Sequence, residues 1–278
     1  MVLPQLALTA VFFLWPAAEA IRSSLFLDDP FGLHARFVGL ENFATLLADP
    51  LYAEAVLRTA VFIAAVTALS MTSGLVFAVF TDRVVRGRAL YRVLLTWPYA
   101  VAPAMAGIVW LFLMHPQIGL FGRELNALGL GWDFRLNGGQ ALLLVILAAS
   151  WRQVSYNFLF YLSGLQSIPR SVLEAARIDG AGEARLVRSV MLPLLSPTTL
   201  FLAVMNVVYA AFETFATIAA LTDGGPGRAT ETLVFKVYRD GIVNLDIGSS
   251  SAQSVILMLA VIAVTSVQFR LLGRRRDA

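Results

Sequence analysis

The sequence predicts an all-α, polytopic membrane protein with six transmembrane helices, and three observations carry that prediction. Hydrophobic residues make up 58% of the chain and charged residues only 14%, against roughly a quarter charged in soluble globular proteins. Six apolar runs approach or exceed the roughly 20 residues that a helix needs to cross a bilayer core of about 30 Å. Arginines gather in the short segments between alternate runs, which is the bias of cytoplasmic loops.

The runs justify the spans in order. Met1–Ala18 gives a first span over residues 1–21. It reads as a span rather than a cleaved signal peptide, because the apolar stretch exceeds the usual h-region, no basic n-region precedes it, and Trp15-Pro16 is a poor approach to a cleavage site. Thr59–Thr81, between Arg58 and Asp82, gives a second over 57–81. Val93–Gly122, with only His115 to interrupt it, gives a third over 91–114. Leu136–Pro169 contains one charge, Arg152, and gives a fourth over 138–165. Ser189–Thr222 contains one charge, Glu213, and gives a fifth over 192–221. Ile247–Phe269 gives a sixth over 247–270, so the chain reads as a single transmembrane domain over 1–278. Six spans put both termini on one side. With that side cytoplasmic, twelve arginines (Arg83, Arg86, Arg88, Arg92, Arg170, Arg177, Arg185, Arg188, Arg270, Arg274, Arg275 and Arg276) face inward against eight basic residues outside. Residues 166–191 then form a cytoplasmic loop.

Composition excludes several chemistries. The chain has no cysteine, so disulfides, thiolate metal sites and cysteine nucleophiles are out. His34 and His115 lie 81 positions apart and share no HExxH-like spacing, so no metal site is expected. The one lysine, Lys236, follows Val234-Phe235 and not a glycine-rich phosphate loop, so any ATP would be bound by another subunit. No nucleophile–base pair can be assembled, and neither an enzyme activity, a cofactor on this chain nor a nucleic-acid partner is expected.

Residues 174–197 read EAARIDGAGEARLVRSVMLPLLSP, a charged, small-residue stretch between two oily segments. Pro169 suits a first helical turn, where its missing N–H costs nothing, and helix-compatible residues run from Arg170 to Asp179. Gly180 can take the left-handed conformation that ends a helix, and a second short helix can follow from Glu183 until Pro193 and Pro197 interrupt it. Ala175, Ala176, Ala181 and Gly182 would let a partner's groove approach the backbone, while Glu174, Arg177, Asp179 and Arg185 could fix its register. The alternative is a solvated amphipathic loop that joins two spans.

Ionisable groups at membrane depth are costly and usually face an interior cavity, which singles out Arg152 and Glu213. Residues four apart share a helix face, so Arg152 aligns with Tyr156, and Gln153 with Asn157. Asn206, Tyr209, Glu213 and Thr217 are spaced as one polar stripe on a helix, suited to line a path. The substrate pathway read from these patterns comprises Arg152, Tyr156, Asn157, Asn206, Tyr209 and Glu213; the alternative is a structural Arg152–Glu213 pair. Pro98 and Pro103 read as packing kinks, and Gly224-Gly225-Pro226 as a tight outer turn, either a plain one or one that helps seat a periplasmic binding protein.

Glu174-Ala175-Ala176, Asp179-Gly180-Ala181 and Leu192-Pro193 with Pro197 resemble the EAA motif of permease subunits of bacterial ATP-binding-cassette importers. One departure is Val187, where that family more often has an aromatic, which implies looser packing against a partner there. Phe12–Pro16, Asp29–Gly32, Val38–Phe43, Pro98–Pro103, Ser155–Phe160, Gly224–Pro226, Tyr238–Gly241 and Ala252–Val255 resemble, in order, the glycerol-3-phosphate branch of the family. The resemblance implies a type I importer permease fold in the bacterial cytoplasmic membrane. It also implies Glu174, Ala175, Ala176, Asp179, Gly180 and Ala181 as the coupling site to an ATPase. The implied partners are a second homologous permease subunit, two ATPase subunits, a periplasmic or lipid-anchored solute-binding protein, and membrane lipid. The implied activity is alternating-access import of sn-glycerol 3-phosphate or its glycerophosphodiesters, with hydrolysis on the ATPase. The alternative is a sugar or polyol importer in which Arg152 is structural.

Overall fold

The computed structural model describes residues 3–28, 35–83 and 87–276. The Asp29–Gly32 motif, His34 and Arg86 lie outside the described residues.

Two short helices, α1 (Leu3–Thr9) and α2 (Trp15–Ser23), are joined by a π turn over Ala10–Leu14. The wide turn sits just before Pro16, which cannot donate to the helix ladder. No side chain of Pro4–Ser23 is buried, and Phe12, Phe13 and Trp15 are among the most exposed apolar groups. A largely apolar helical stretch with no buried side chain among the described residues suits a lipid surround.

The all-α expectation meets one exception, a two-stranded antiparallel ribbon of β1 (Phe26–Asp28) and β2 (Ala35–Phe37). Phe26 lies opposite Phe37, with ring centroids 5.4 Å apart, and such cross-strand aromatic pairs stabilise short ladders. Asn42 Nδ2 ties the ribbon down by donating to the Ser24 and Phe26 carbonyls at 2.9 Å each.

Helix α3 (Glu41–Ala48) leads into α4 (Pro50–Arg83), a 34-residue helix. Asp49 Oδ1 accepts from the Leu51 N–H at 2.9 Å and Pro50 opens the helix, a favourable start for both reasons. The third apolar run is not one helix. It divides into α5 (Arg88–Ala100) and α6 (Pro103–Met114), bent by 104°. Pro103 forces its predecessor out of the helical region, and Val101 and Ala102 are accordingly extended at ψ 128 and 143. A short α7 (Leu120–Ala127) precedes α8 (Gly138–Gln166), whose Asn137 side chain caps the Gln140 N–H at 3.1 Å.

Next come α9 (Arg170–Ile178), α10 (Glu183–Leu186), a π turn over Val187–Met191 and α11 (Leu192–Leu194). A 70° bend at Leu195 separates these from α12 (Ser196–Val208), which continues through a third π turn, Tyr209–Glu213, to α13 (Phe215–Leu221). The chain finishes with α14 (Leu233–Tyr238), a π turn over Arg239–Val243, and α15 (Ile247–Arg276).

Among the described residues, four helices are long and apolar enough to cross a bilayer: Pro4–Ser23, Pro50–Arg83, Gly138–Gln166 and Ile247–Arg270. The two bent pairs raise the number to six if each is one span.

Two compact units emerge. One comprises the residues up to Ala60 with Glu231–Val264; Leu46, Tyr52, Ala55, Leu233, Ala252 and Leu257 form its core. The other comprises Val61–Thr230 with the residues from Thr265 on, and its core includes Phe158, Tyr161, Leu162, Leu186, Leu195 and Leu202.

Candidate coupling loop and membrane-depth site

The stretch after α8 folds as two helical pieces around Gly180. The Gly180 N–H donates to the Arg177 carbonyl (3.1 Å) and the Ala181 N–H to the Ala176 carbonyl (3.0 Å), with Gly180 at φ +78. That bond pair around a left-handed glycine is a Schellman ending, and it reverses the chain tightly after α9. Pro169 flanks α9 in an extended conformation and does not form its first turn.

Glu174, Ala175, Asp179 and Gly180 are exposed, whereas Ala176 and Ala181 are half-buried. Ile178, between them, is 85% exposed, an apolar side chain left open at the turn among the described residues. The loop is anchored by Leu186, which is fully buried among Tyr161, Leu162 and Leu165, with Leu173, Ala176, Val187 and Val190 packed around it. Val187, half-buried, packs on this cluster in place of the aromatic more frequent in the resembled family. Glu183 bridges Arg83 at the end of α4 (3.0 Å) and Arg177 on α9 (3.6 Å). All three are well exposed, so the bridge fixes register more than it adds stability.

Membrane-depth polar groups fall into two sets. Asn157 on α8 and Asn206 on α12 are fully buried and exchange reciprocal hydrogen bonds at 3.0 and 2.7 Å. Ser70 of α4 donates to Asn206 Oδ1 at 2.8 Å, so three helices meet at one satisfied polar knot. A Cβ on Gly74 would lie 2.6 Å from the Asn157 Cβ and 3.0 Å from the Phe158 nitrogen, so only glycine allows α4 this close to α8. These two asparagines therefore face packed protein.

The second set surrounds the α5–α6 break. Arg152 Nε donates to the Val101 carbonyl at 3.0 Å, and Thr217 Oγ1 donates to the Pro103 carbonyl at 3.1 Å. Both carbonyls lie at the break; Arg152 of α8 satisfies the Val101 carbonyl, which the end of α5 leaves open, and Thr217 of α13 adds a second bond to the first carbonyl of α6. The Arg152 guanidinium also lies over the Tyr99 ring (5.3 Å) and within hydrogen-bonding reach of Tyr209, whose hydroxyl donates to the Ala149 carbonyl at 3.2 Å. Tyr99, Tyr156, Phe160 and Phe201 continue as an aromatic row with centroids 5.8, 4.7 and 5.2 Å apart. Among the described residues Arg152 and Glu213 form no ion pair.

The single polar stripe read on the fifth run is also corrected. The π turn over Tyr209–Glu213 adds a residue to the turn and shifts the face, so Asn206, Tyr209 and Thr217 are buried while Glu213 is exposed.

In the other unit, the Tyr238–Gly241 and Ala252–Val255 motifs meet. Gln253 Nε2 donates to Asp240 Oδ2 at 2.6 Å, Lys236 pairs with Asp240 at 2.8 Å, and Arg239 pairs with Glu231. Burial of these charges is tolerable because each is paired.

The family described as binding-protein-dependent transport system inner membrane component matches residues 1–278. The chain belongs to that family. This permease is 54% identical over 272 residues to the sn-glycerol-3-phosphate transport system permease protein of Brucella abortus biovar 1, covering 98% of this chain and 93% of the relative. The protein of the same description in Rhizobium meliloti is 52% identical over 275 residues, covering 99% and 94%. The permease fold is similar to a chain of the bacterial alginate transporter solved with its alginate pentasaccharide-bound periplasmic protein. That likeness has a TM-score of 0.85 at 18% identity and covers 99% of this chain and 93% of that one. The permease is thus an all-helical, multi-span membrane transport component apart from its short ribbon, and its family is one of transport and not of catalysis.

Proposed function

We propose that this permease is the membrane subunit of an ATP-driven importer for sn-glycerol 3-phosphate or its glycerophosphodiesters. The observation that carries the reading is the 52–54% identity, over nearly the whole chain, to permeases described by that solute. In this reading the chain is one permease domain with six spans, each bent pair counting as one, and both termini cytoplasmic. It pairs with a second permease subunit, two ATPase subunits and an extracytoplasmic solute-binding protein.

Coupling runs through the α9–Gly180–α10 turn. The exposed residues Glu174, Ala175, Ile178, Asp179 and Gly180 form the docking face, with Ala176 and Ala181 packed beneath it. Leu186 transmits movement of that face to α8 and α12. The solute path is lined by Arg152, Tyr156 and the exposed Glu213, with Tyr209 holding Arg152, while Asn157 and Asn206 lock the helices behind it. Arg152 has a double part, since its Nε satisfies the broken span and the rest of the guanidinium suits an oxyanion.

The test is reconstitution with the partner subunits, measuring ATP hydrolysis and uptake with the binding protein loaded by glycerol 3-phosphate, a glycerophosphodiester or maltose. Stimulation by the phosphate esters alone supports the reading. Stimulation by maltose alone would replace it with a sugar importer in which Arg152 only braces the span break.

A further inference from the structure

The unit built on Val61–Thr230 holds an open pocket of about 470 Å³ whose lining includes His115, Arg135 and Asp223 beside apolar Leu111, Phe134 and Leu221. Nothing in the coupling loop or the membrane-depth site uses it. Its chemistry is set by how His115 is held.

His115 Nδ1 accepts from the backbone N–H groups of Gln117 and Ile118, at 3.3 and 3.4 Å. A neutral imidazole has one N–H, so with Nδ1 accepting, the hydrogen is on Nε2. Nε2 lies 3.4 Å from Arg135 Nη1, and a guanidinium only donates. Two donors therefore point at one another. Asp133 does not relieve this, because it engages Nε and Nη2 of Arg135, at 3.3 and 3.5 Å. A shared acceptor oxygen resolves the opposition, and a phosphate offers several, with a geometry that matches the guanidinium. Asp223 would repel a bare anion, yet its carboxylate can accept from a hydroxyl. The matching ligand carries a phosphate at one end, hydroxyls at the other, and a short carbon skeleton for the apolar wall.

We propose that this pocket binds a polyol phosphomonoester, with its phosphate between His115 and Arg135, and receives the solute on the outer face before it enters the membrane. The outer placement and the solute rest on the function proposed above; the anion site does not.

The chain has two histidines, so His34→Gln leaves His115 as the only imidazole. The permease–ATPase complex carrying that change, assembled with 15N-histidine in this chain alone and placed in lipid nanodiscs without binding protein, is titrated with glycerol 3-phosphate, inorganic phosphate and chloride at constant ionic strength. The site predicts a saturable shift of the His115 Nε2 resonance, half-complete at lower concentration for glycerol 3-phosphate than for inorganic phosphate. Arg135→Gln should weaken it about tenfold, the loss expected for one charged hydrogen bond. Asp223→Asn should abolish the advantage of the ester over inorganic phosphate. An equal response to chloride, or no response in the unsubstituted pocket, overturns the proposal whether or not the variants fold. A responsive His115 in a complex that does not transport glycerol 3-phosphate keeps the anion site and defeats the importer reading. Transport with a silent His115 does the reverse.

Discussion

Replacing Asn206 by leucine tests the three-helix polar knot. Asn206 makes three interhelical hydrogen bonds: one from Ser70 and two shared with Asn157. Interhelical hydrogen bonds in membranes contribute roughly 0.6–2 kcal/mol each, so losing three in Asn206→Leu should destabilise by about 2–6 kcal/mol. Ser70 and Asn157 Nδ2 keep bonds to the Val66 and Gln153 carbonyls, but Asn157 Oδ1 loses its donor and is buried without one. Asn157→Leu should cost less, about 1–2 kcal/mol, because Asn206 retains Ser70 and the Leu202 carbonyl. The double variant leaves neither amide behind, so it should be milder than the sum of the singles by about 1 kcal/mol or more. Unfolding equilibria by steric trapping in bicelles give all four corners of the cycle. Additivity within roughly 0.5 kcal/mol would refute the knot as a unit.

Other outcomes follow from the same geometry. Gly180→Pro imposes φ near −65° where the turn has φ +78 and removes the N–H that bonds Arg177. ATP hydrolysis in the reconstituted importer should then lose its stimulation by loaded binding protein, whereas Gly180→Ala, which keeps the N–H at a cost of about 1–2 kcal/mol, should retain most of it. Arg152→Ala strips the Val101 carbonyl at the span break, so it should lower stability by about 1–3 kcal/mol as well as slow uptake; slowed uptake at unchanged stability would mean Arg152 contacts only solute. Asp133 has a carboxyl that partial burial pushes up but that Arg135, by hydrogen bonds and charge, draws below its usual 3.8. The ordering it gives the Arg135 turn is therefore full above that value and lost as pH falls through the lowered one. Protection of the Arg135 amide from hydrogen exchange, taken relative to the unstructured rate at the same pH, should fall at low pH in the parent and show no such step in Asp133→Asn.

Much of the architecture is legible in sequence because membrane helices are written in composition. The runs behind α4, α8 and α15 carry almost no charge, and their helices follow. The Gly180 turn is legible for a local reason, since a glycine between a helix-forming stretch and a second one can take positive φ. What is hidden is whatever depends on residues far apart. Pro98 and Pro103 mark a break, but that Arg152 satisfies its open carbonyl and Thr217 ties the start of α6 is fixed by contacts across 51 and 114 positions. The polar stripe on the fifth run fails because a π turn, which leaves no period in the sequence, rotates Glu213 away from Asn206 and Thr217. Leu186 hides in a charged stretch, yet it is the buried anchor of the loop. Ser70 and Gly74 look like ordinary small residues of an apolar run until α8 and α12 are placed against them.

In the proposed function the α9–α10 turn projects into the cytosol and is gripped there by the ATPase. The chain has no native cysteine, so Ile178→Cys is a single probe at an 85% exposed position of the turn. A membrane-impermeant maleimide should label it in inverted membrane vesicles, not in right-side-out ones, and bound ATPase subunit should block the labelling. Labelling from the outer face, or labelling in inverted vesicles that the bound ATPase leaves unchanged, would contradict the account.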